Sequence, residues 1–178
     1  DAELFGHWWF EGVDFLSDVL RRAARIGSAL EPVTPQEFVA CEDTFQVLTP
    51  SASSWGDKGY YEHWLNGTND WIYKHLHKAE ERMQELVRRF PNAEGLTRRA
   101  LNQAARELLL AQSSDWAFLM TTGTARPYAE RRTKDHVAQF TRLYEMLTSG
   151  KIDERELSGY ENRDAIFQEL DYRIYAGR

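Results

Sequence analysis

With 178 residues, 42% of them hydrophobic, the chain is long enough for one domain with a hydrophobic core and short for two. Its net charge of −6 excludes a general attraction to nucleic acid, since basic clusters such as RRAAR and AERRTK alternate with acids as solvated helix faces do. The single cysteine, Cys41, excludes an internal disulfide framework, and no apolar run approaches the ~18 residues that span a bilayer, so the expected setting is cytoplasmic with no membrane partner.

The chain opens on DAELFGHWWFEG, an unusual concentration of aromatics. From Val13 the apolar residues Val13, Leu16, Val19, Leu20 and Ala23 recur at three-four spacing and predict a helix, with Gly27 as a stop. Thr34-Pro35-Gln36-Glu37 reads as a capping box with Pro at the first helical position, opening a short helix that carries Phe38 and Val39. Phe45 to Pro50 reads as extended. SASSWGDKGYYEHWLNGTND, at about 50–70, is rich in Gly, Ser and Asn without a sustained period. It predicts a long loop, and its aromatic content argues against disorder.

Ile72, Leu76, Ala79, Met83, Leu86, Val87 and Phe90 form one stripe of a long helix ending at Pro91. A second helix, from about Thr97, carries Leu101, Ala104, Ala105, Leu108 and Leu109, and Ser113–Asp115 marks a break or a new cap. After Gly123 a third long helix runs to about Leu147 on Ala129, Val137, Phe140, Tyr144 and Leu147, and Gly150 ends it. Ile166, Phe167 and Leu170 suggest a last short helix. Three long amphipathic helices with short joints pack as an antiparallel bundle, so the fold expectation is mainly α.

Most familiar chemistries have no motif here: the chain lacks CxxC, HExxH, GxSxG and a Gly-rich phosphate loop. His75 and His77, two apart on a helix, face different directions and read as surface residues, so no metal site is expected. Cys41 reads as a small buried residue. What remains is carboxylates beside tryptophans, a pairing suited to carbohydrate. Indole rings cover the C–H face of a sugar and carboxylates accept hydrogen bonds from its hydroxyls, while glycosidic cleavage needs two carboxyl groups. The plainer reading makes Trp116 and one of Trp8 or Trp9 core residues and Asp115 a helix cap. Trp55 and Trp64 resist it, because a Gly/Asn-rich loop is a poor place to hide two large rings.

DAELFGHWWFEG resembles the segment that carries the second catalytic residue in glycoside hydrolase family 57. SSWGDKGYYEHWLN and ELLLAQSSDWAFL resemble the C-terminal helical region of that family's 1,4-α-glucan branching enzymes. The resemblance runs to about Leu147. It implies an incomplete β/α barrel upstream, with 1–10 as a leader from the barrel edge and 11–178 as the helical domain. It implies that Asp1 is the general acid/base and that Trp55 and Trp64 line the glucan cleft. It further implies that Asp115 approaches the substrate from the helical side, with His7 orienting a carboxylate or a hydroxyl. Ala117 stands where Pro is common in the family, and no part of this chain matches the motif of the nucleophilic Glu.

The expectation is therefore the C-terminal helical part of a retaining glucan branching enzyme, acting on α-1,4-glucan with no cofactor and inactive as this piece alone. A 4-α-glucanotransferase or an α-amylase of the same family is the first alternative. A non-catalytic helical module that binds glucan or packs on a partner domain is the second.

Overall fold

The computed structural model describes residues 2–25, 27 and 29–176 and divides into two compact units, 1–51 and 52–178. Among the described residues there is no strand, and no helix is long and apolar enough to cross a membrane. The mainly helical expectation holds.

The first unit holds a 3-10 turn at Ala2–Phe5 and helices α1 (Gly12–Ala23) and α2 (Pro35–Cys41). Phe5, Trp9 and Phe15 gather at the start of α1, with Phe15 4.9 Å from Trp9 and 6.4 Å from Phe5 between ring centroids. Trp9 is thus the packed member of the tryptophan pair, and Trp8 is 74% exposed. The capping box forms as expected: the Glu37 amide donates to Thr34 Oγ1 at 3.2 Å, and the Thr34 amide donates to Glu37 Oε2 at 2.7 Å. Those bonds, the Thr34 amide's first, hold the Glu37 carboxyl below its ordinary pKa. The residues 45–50 adopt no regular structure. Among the described residues of this unit only Gly12 is buried, so the stripe Val13, Leu16, Val19 and Leu20 lies exposed. Cys41 is exposed as well, against expectation, because it ends α2, a helix with no buried residue.

The second unit is built on α3 (Trp71–Arg89), α4 (Gly95–Ala111), α5 (Ser114–Thr122), α6 (Arg126–Ser149) and α7 (Glu154–Arg163). The predicted α3 stripe is the buried one, from Ile72 to Val87, with Met83 and Leu86 fully enclosed. Each such side chain contributes roughly 1.5–3 kcal/mol on leaving water. The five-residue joint at 90–94 turns α4 back along α3. The Glu85 carboxylate accepts from Tyr144 Oη at 2.9 Å, and the Thr148 carbonyl accepts from Arg89 at 3.0 Å. Residue numbers thus rise together along α3 and α6, which run in one direction with α4 opposed. The expected antiparallel order of the three long helices is observed, with α5 inserted at the second turn. Gly123 and Gly150 end α5 and α6 at φ 76° and 69°, a backbone that side-chain-bearing residues resist.

Two apolar clusters fill this unit. One joins α3, α4, α6, Leu157 and Tyr172; the other joins Ile72, Leu76, Ala111, Ala117, Met120 and Ala129 at the opposite end of α3. The expected last helix at Ile166–Leu170 does not form. Phe167 stands at φ 55°, outside the helical region, and the Arg106 guanidinium donates to the Ile166 and Phe167 carbonyls, so the segment makes a single turn closed by the Leu170 amide on the Phe167 carbonyl at 3.0 Å. The helix of that region is α7, further upstream, capped by Asp153, whose carboxylate accepts from the Arg155 and Glu156 amides at 2.9 and 3.0 Å.

Candidate functional site

The 52–70 loop is folded by its own polar side chains. Ser54 Oγ donates to the Tyr60 carbonyl and accepts from the Gly56 amide at 3.0 Å and from Trp64 Nε1 at 3.2 Å. Gly56 is required there: a Cβ would lie 2.5 Å from the Tyr60 carbonyl oxygen. Two asparagines then fasten the loop to α5. Asn66 Nδ2 donates to Thr121 Oγ1 at 2.8 Å. Asn69, fully buried, donates to the His63 carbonyl, to Thr121 Oγ1 and to the Ala117 carbonyl at 3.0, 3.0 and 3.3 Å. Its Oδ1 accepts from the Asn66 amide at 2.8 Å. The Tyr73 hydroxyl donates to the Trp64 carbonyl, and burial raises its pKa. The loop's polarity is therefore structural: short side chains complete the backbone bonding that no helix supplies.

This scaffold brings Trp55 and Trp64 together, 6.4 Å apart between ring centroids. Phe118 of α5 lies behind both, 5.7 Å from Trp55 and 5.9 Å from Trp64, and His63 stands 5.7 Å from the same ring. Trp64 and Phe118 are half-buried, whereas Trp55 is 70% exposed. An exposed indole backed by other rings is a flat apolar platform.

Asp115 is exposed in the first turn of α5, three residues before Phe118 and so on the same side of the helix. A carboxylate beside an indole platform can accept hydroxyl hydrogen bonds from a molecule lying on the ring. Trp116 faces inward: it is half-buried, packs on the second apolar cluster, and donates from Nε1 to the Leu110 carbonyl at 2.7 Å. His7 belongs to the first unit, where it is exposed with its ring 4.4 Å from Trp8. Asp1 lies outside the described residues. His75 and His77 are exposed, as expected. Sequence reasoning missed Phe118, whose signal was its three-residue spacing from Asp115, and missed the clamping role of Asn66, Asn69 and Thr121.

One buried polar group lies deeper. Glu107, His136 and Asp164 each bring a ligand-type atom within 4.8 Å of the others. Both Glu107 oxygens already accept hydrogen bonds, from Gln103 Nε2 and from His136 Nδ1, each at 2.7 Å. Arg132 lies 3.5 Å from Asp164. This leaves His136 Nε2 and Asp164 Oδ2 without a hydrogen-bond partner. Two donors beside a guanidinium fall short of the ligand set a structural divalent cation takes.

Residues 75–175 match the family model described as 1,4-alpha-glucan branching enzyme, C-terminal. The chain is 39% identical over 174 residues to a 1,4-alpha-glucan branching enzyme of Thermococcus kodakarensis, covering 94% of this chain and 25% of that protein. Among solved structures, it resembles the alpha-amylase AmyC of Thermotoga maritima, with TM-score 0.70, 47% identity, and coverage of 100% of this chain and 32% of that one. It also resembles a GH57-type branching enzyme of Pyrococcus horikoshii, with TM-score 0.75, 38% identity, and coverage of 100% and 34%. The chain thus spans about a quarter to a third of the length of these relatives.

Proposed function

Because the chain belongs to the family of 1,4-alpha-glucan branching enzyme C-terminal domains, we propose that it is the helical part of a retaining α-glucan branching enzyme of glycoside hydrolase family 57. The whole protein cleaves an internal α-1,4 bond and passes the released chain to a 6-hydroxyl of an acceptor glucan, building a glycogen-type polysaccharide. Asp1, the first residue of a leader over 1–10, protonates the leaving oxygen and then deprotonates the acceptor hydroxyl. A Glu from an upstream β/α barrel serves as nucleophile, with the two carboxyls roughly 5–5.5 Å apart as retention requires. Double displacement by two carboxyl groups calls for no cofactor. The single cysteine fits a cytoplasmic protein.

The observation that carries this reading is the exposed Trp55 ring, set on Trp64 and Phe118 one turn from Asp115. It supports a surface where an acceptor glucan lies flat, displaces water and is held by hydroxyl contacts to Asp115. His7, within the leader, orients a carboxylate or a hydroxyl. The likeness to AmyC supports a second reading, in which water replaces the acceptor and the product is a shorter glucan.

The test is product analysis on amylose with the full-length protein. New α-1,6 branches are expected, and reducing ends without branches establish the amylase reading instead. Asp1→Asn in the same protein is expected to lower turnover about 10²–10⁴-fold, the usual contribution of acid/base assistance, with melting unchanged. Turnover within a few-fold of the parent removes Asp1 from that role.

A further inference from the structure

Trp116 connects the candidate platform to the centre of the helical unit. Its ring stacks on His136, 6.4 Å between centroids at 27°, and Tyr128 meets it edge-on at 6.0 Å. Its Nε1 donates to the Leu110 carbonyl at the end of α4. The ring is therefore held by two helices at once, and it occupies the first turn of α5 beside Asp115.

What fixes His136 is a fully buried carboxylate. Glu107 Oε2 bonds His136 Nδ1 across α4 and α6, Gln103 Nε2 donates to Glu107 Oε1, and Arg106 donates to Gln103 Oε1. His136, Glu107 and Gln103 are 0% exposed. Apolar residues of similar volume would fill this space at least as stably, because burying a charged group carries a large desolvation penalty. A hydrogen-bonded chain does something an apolar filling does not: it sets the imidazole plane and therefore the plane of the ring stacked on it.

We propose that Glu107 and His136 are positioning residues for glucan transfer. They lock Trp116, and through it the first turn of α5, which carries Asp115 and, three residues on, the Phe118 ring beneath Trp55 and Trp64. The inference rests on the branching reading above, because the transfer step is what needs an acceptor held in place. Misplacing a reactant by about 1 Å costs on the order of 10²-fold in rate, so a loosened α5 lowers transfer before it lowers hydrolysis.

The experiment uses the full-length enzyme with His136→Asn, which keeps a donor toward Glu107 but loses the stacking ring, together with Glu107→Gln and Trp116→Phe. Leu157→Ala, in the apolar cluster on the far side of the unit, controls for lost stability alone. The branching-to-hydrolysis ratio and the KM for amylose are read at a temperature where each variant is folded. The expected result is a ratio about tenfold lower and a raised KM in His136→Asn and Glu107→Gln, a smaller change in Trp116→Phe, and an unchanged ratio in Leu157→Ala. Should His136→Asn not fold, Glu107→Gln and the half-buried Trp116→Phe still decide. An active parent whose variants match Leu157→Ala in ratio overturns the inference alone. A parent that forms no branches overturns the branching reading and this inference with it.

Discussion

Phe118 meets Trp55 edge-on, 5.7 Å between ring centroids at 62°, and so props an otherwise exposed indole from the helix beneath. The pair joins a loop to α5 through aromatic contact alone. It also separates Trp55 from Trp64, whose Nε1 and carbonyl are both hydrogen-bonded within the fold.

Truncating the two tryptophans therefore has different effects. Trp55→Ala is expected to change stability by less than about 1 kcal/mol, because little of the ring leaves water on folding. Trp64→Ala is expected to cost on the order of 2 kcal/mol, for its half-buried ring. In the full-length protein, on the proposed branching reading, both should lower branching more than hydrolysis of amylose. Paired melting and product measurements check this. Loss of stability at a constant product ratio would remove the rings from the platform role.

Asn69 is the residue whose loss should loosen the loop. Its side chain bonds Asn66, His63, Ala117 and Thr121 in a fully buried position. Asn69→Ala leaves the part-buried Asn66 amide without its acceptor and removes one bond each from the His63 carbonyl, Thr121 and the Ala117 carbonyl, and is expected to cost about 2–3 kcal/mol. Urea unfolding gives the loss. Intrinsic fluorescence of the Trp55–Trp64 cluster should shift even under conditions where the helices remain folded.

Asp171 sets an acid limit for the C-terminal segment. The Arg173 guanidinium, which donates to it at 2.5 Å, is the main cause that holds its carboxyl down at about 2, with the Arg173 amide adding to this. A folded pKa below the ordinary 3.8 means stability that is present above about 4 and lost as pH falls toward 2. The segment matters because the neighbouring Tyr172 is buried, donates to the Phe90 carbonyl at 2.6 Å and accepts from the Ala93 amide at 3.1 Å. Asp171→Asn is expected to flatten the stability-against-pH curve between 4 and 2. Melting curves across that window test it, and an unchanged slope refutes it.

The first unit should make this 178-residue chain self-associate. Val13, Leu16, Val19 and Leu20 form an exposed apolar stripe on α1, and Trp8 and Phe10 are exposed before it. Patches of that kind promote association in isolation. Concentration-dependent elution on size exclusion is expected, relieved by Leu16→Glu with Leu20→Lys. A chain that elutes as a monomer at all concentrations would contradict it.

Much of this was legible in the residues themselves. The α3 stripe, the Thr34 capping box, the break before Asp115 and the glycine that ends α6 depend on neighbours within a few positions, so local spacing determined them. The two loop tryptophans stood out for the same reason, since nothing periodic around them offered a burial face. Tertiary structure alone decided the rest. Cys41 is exposed because α2 presents no buried face, and 166–170 makes only a turn, with Phe167 at φ 55° and the Ile166 and Phe167 carbonyls bonded by Arg106 from some sixty residues earlier. The Glu107–His136 pair and the Phe118 prop arise from residues far apart in the chain that only helix packing brings within contact. Hydrophobic period tells which face of a helix is buried, and it carries no information about which distant side chain that face will meet.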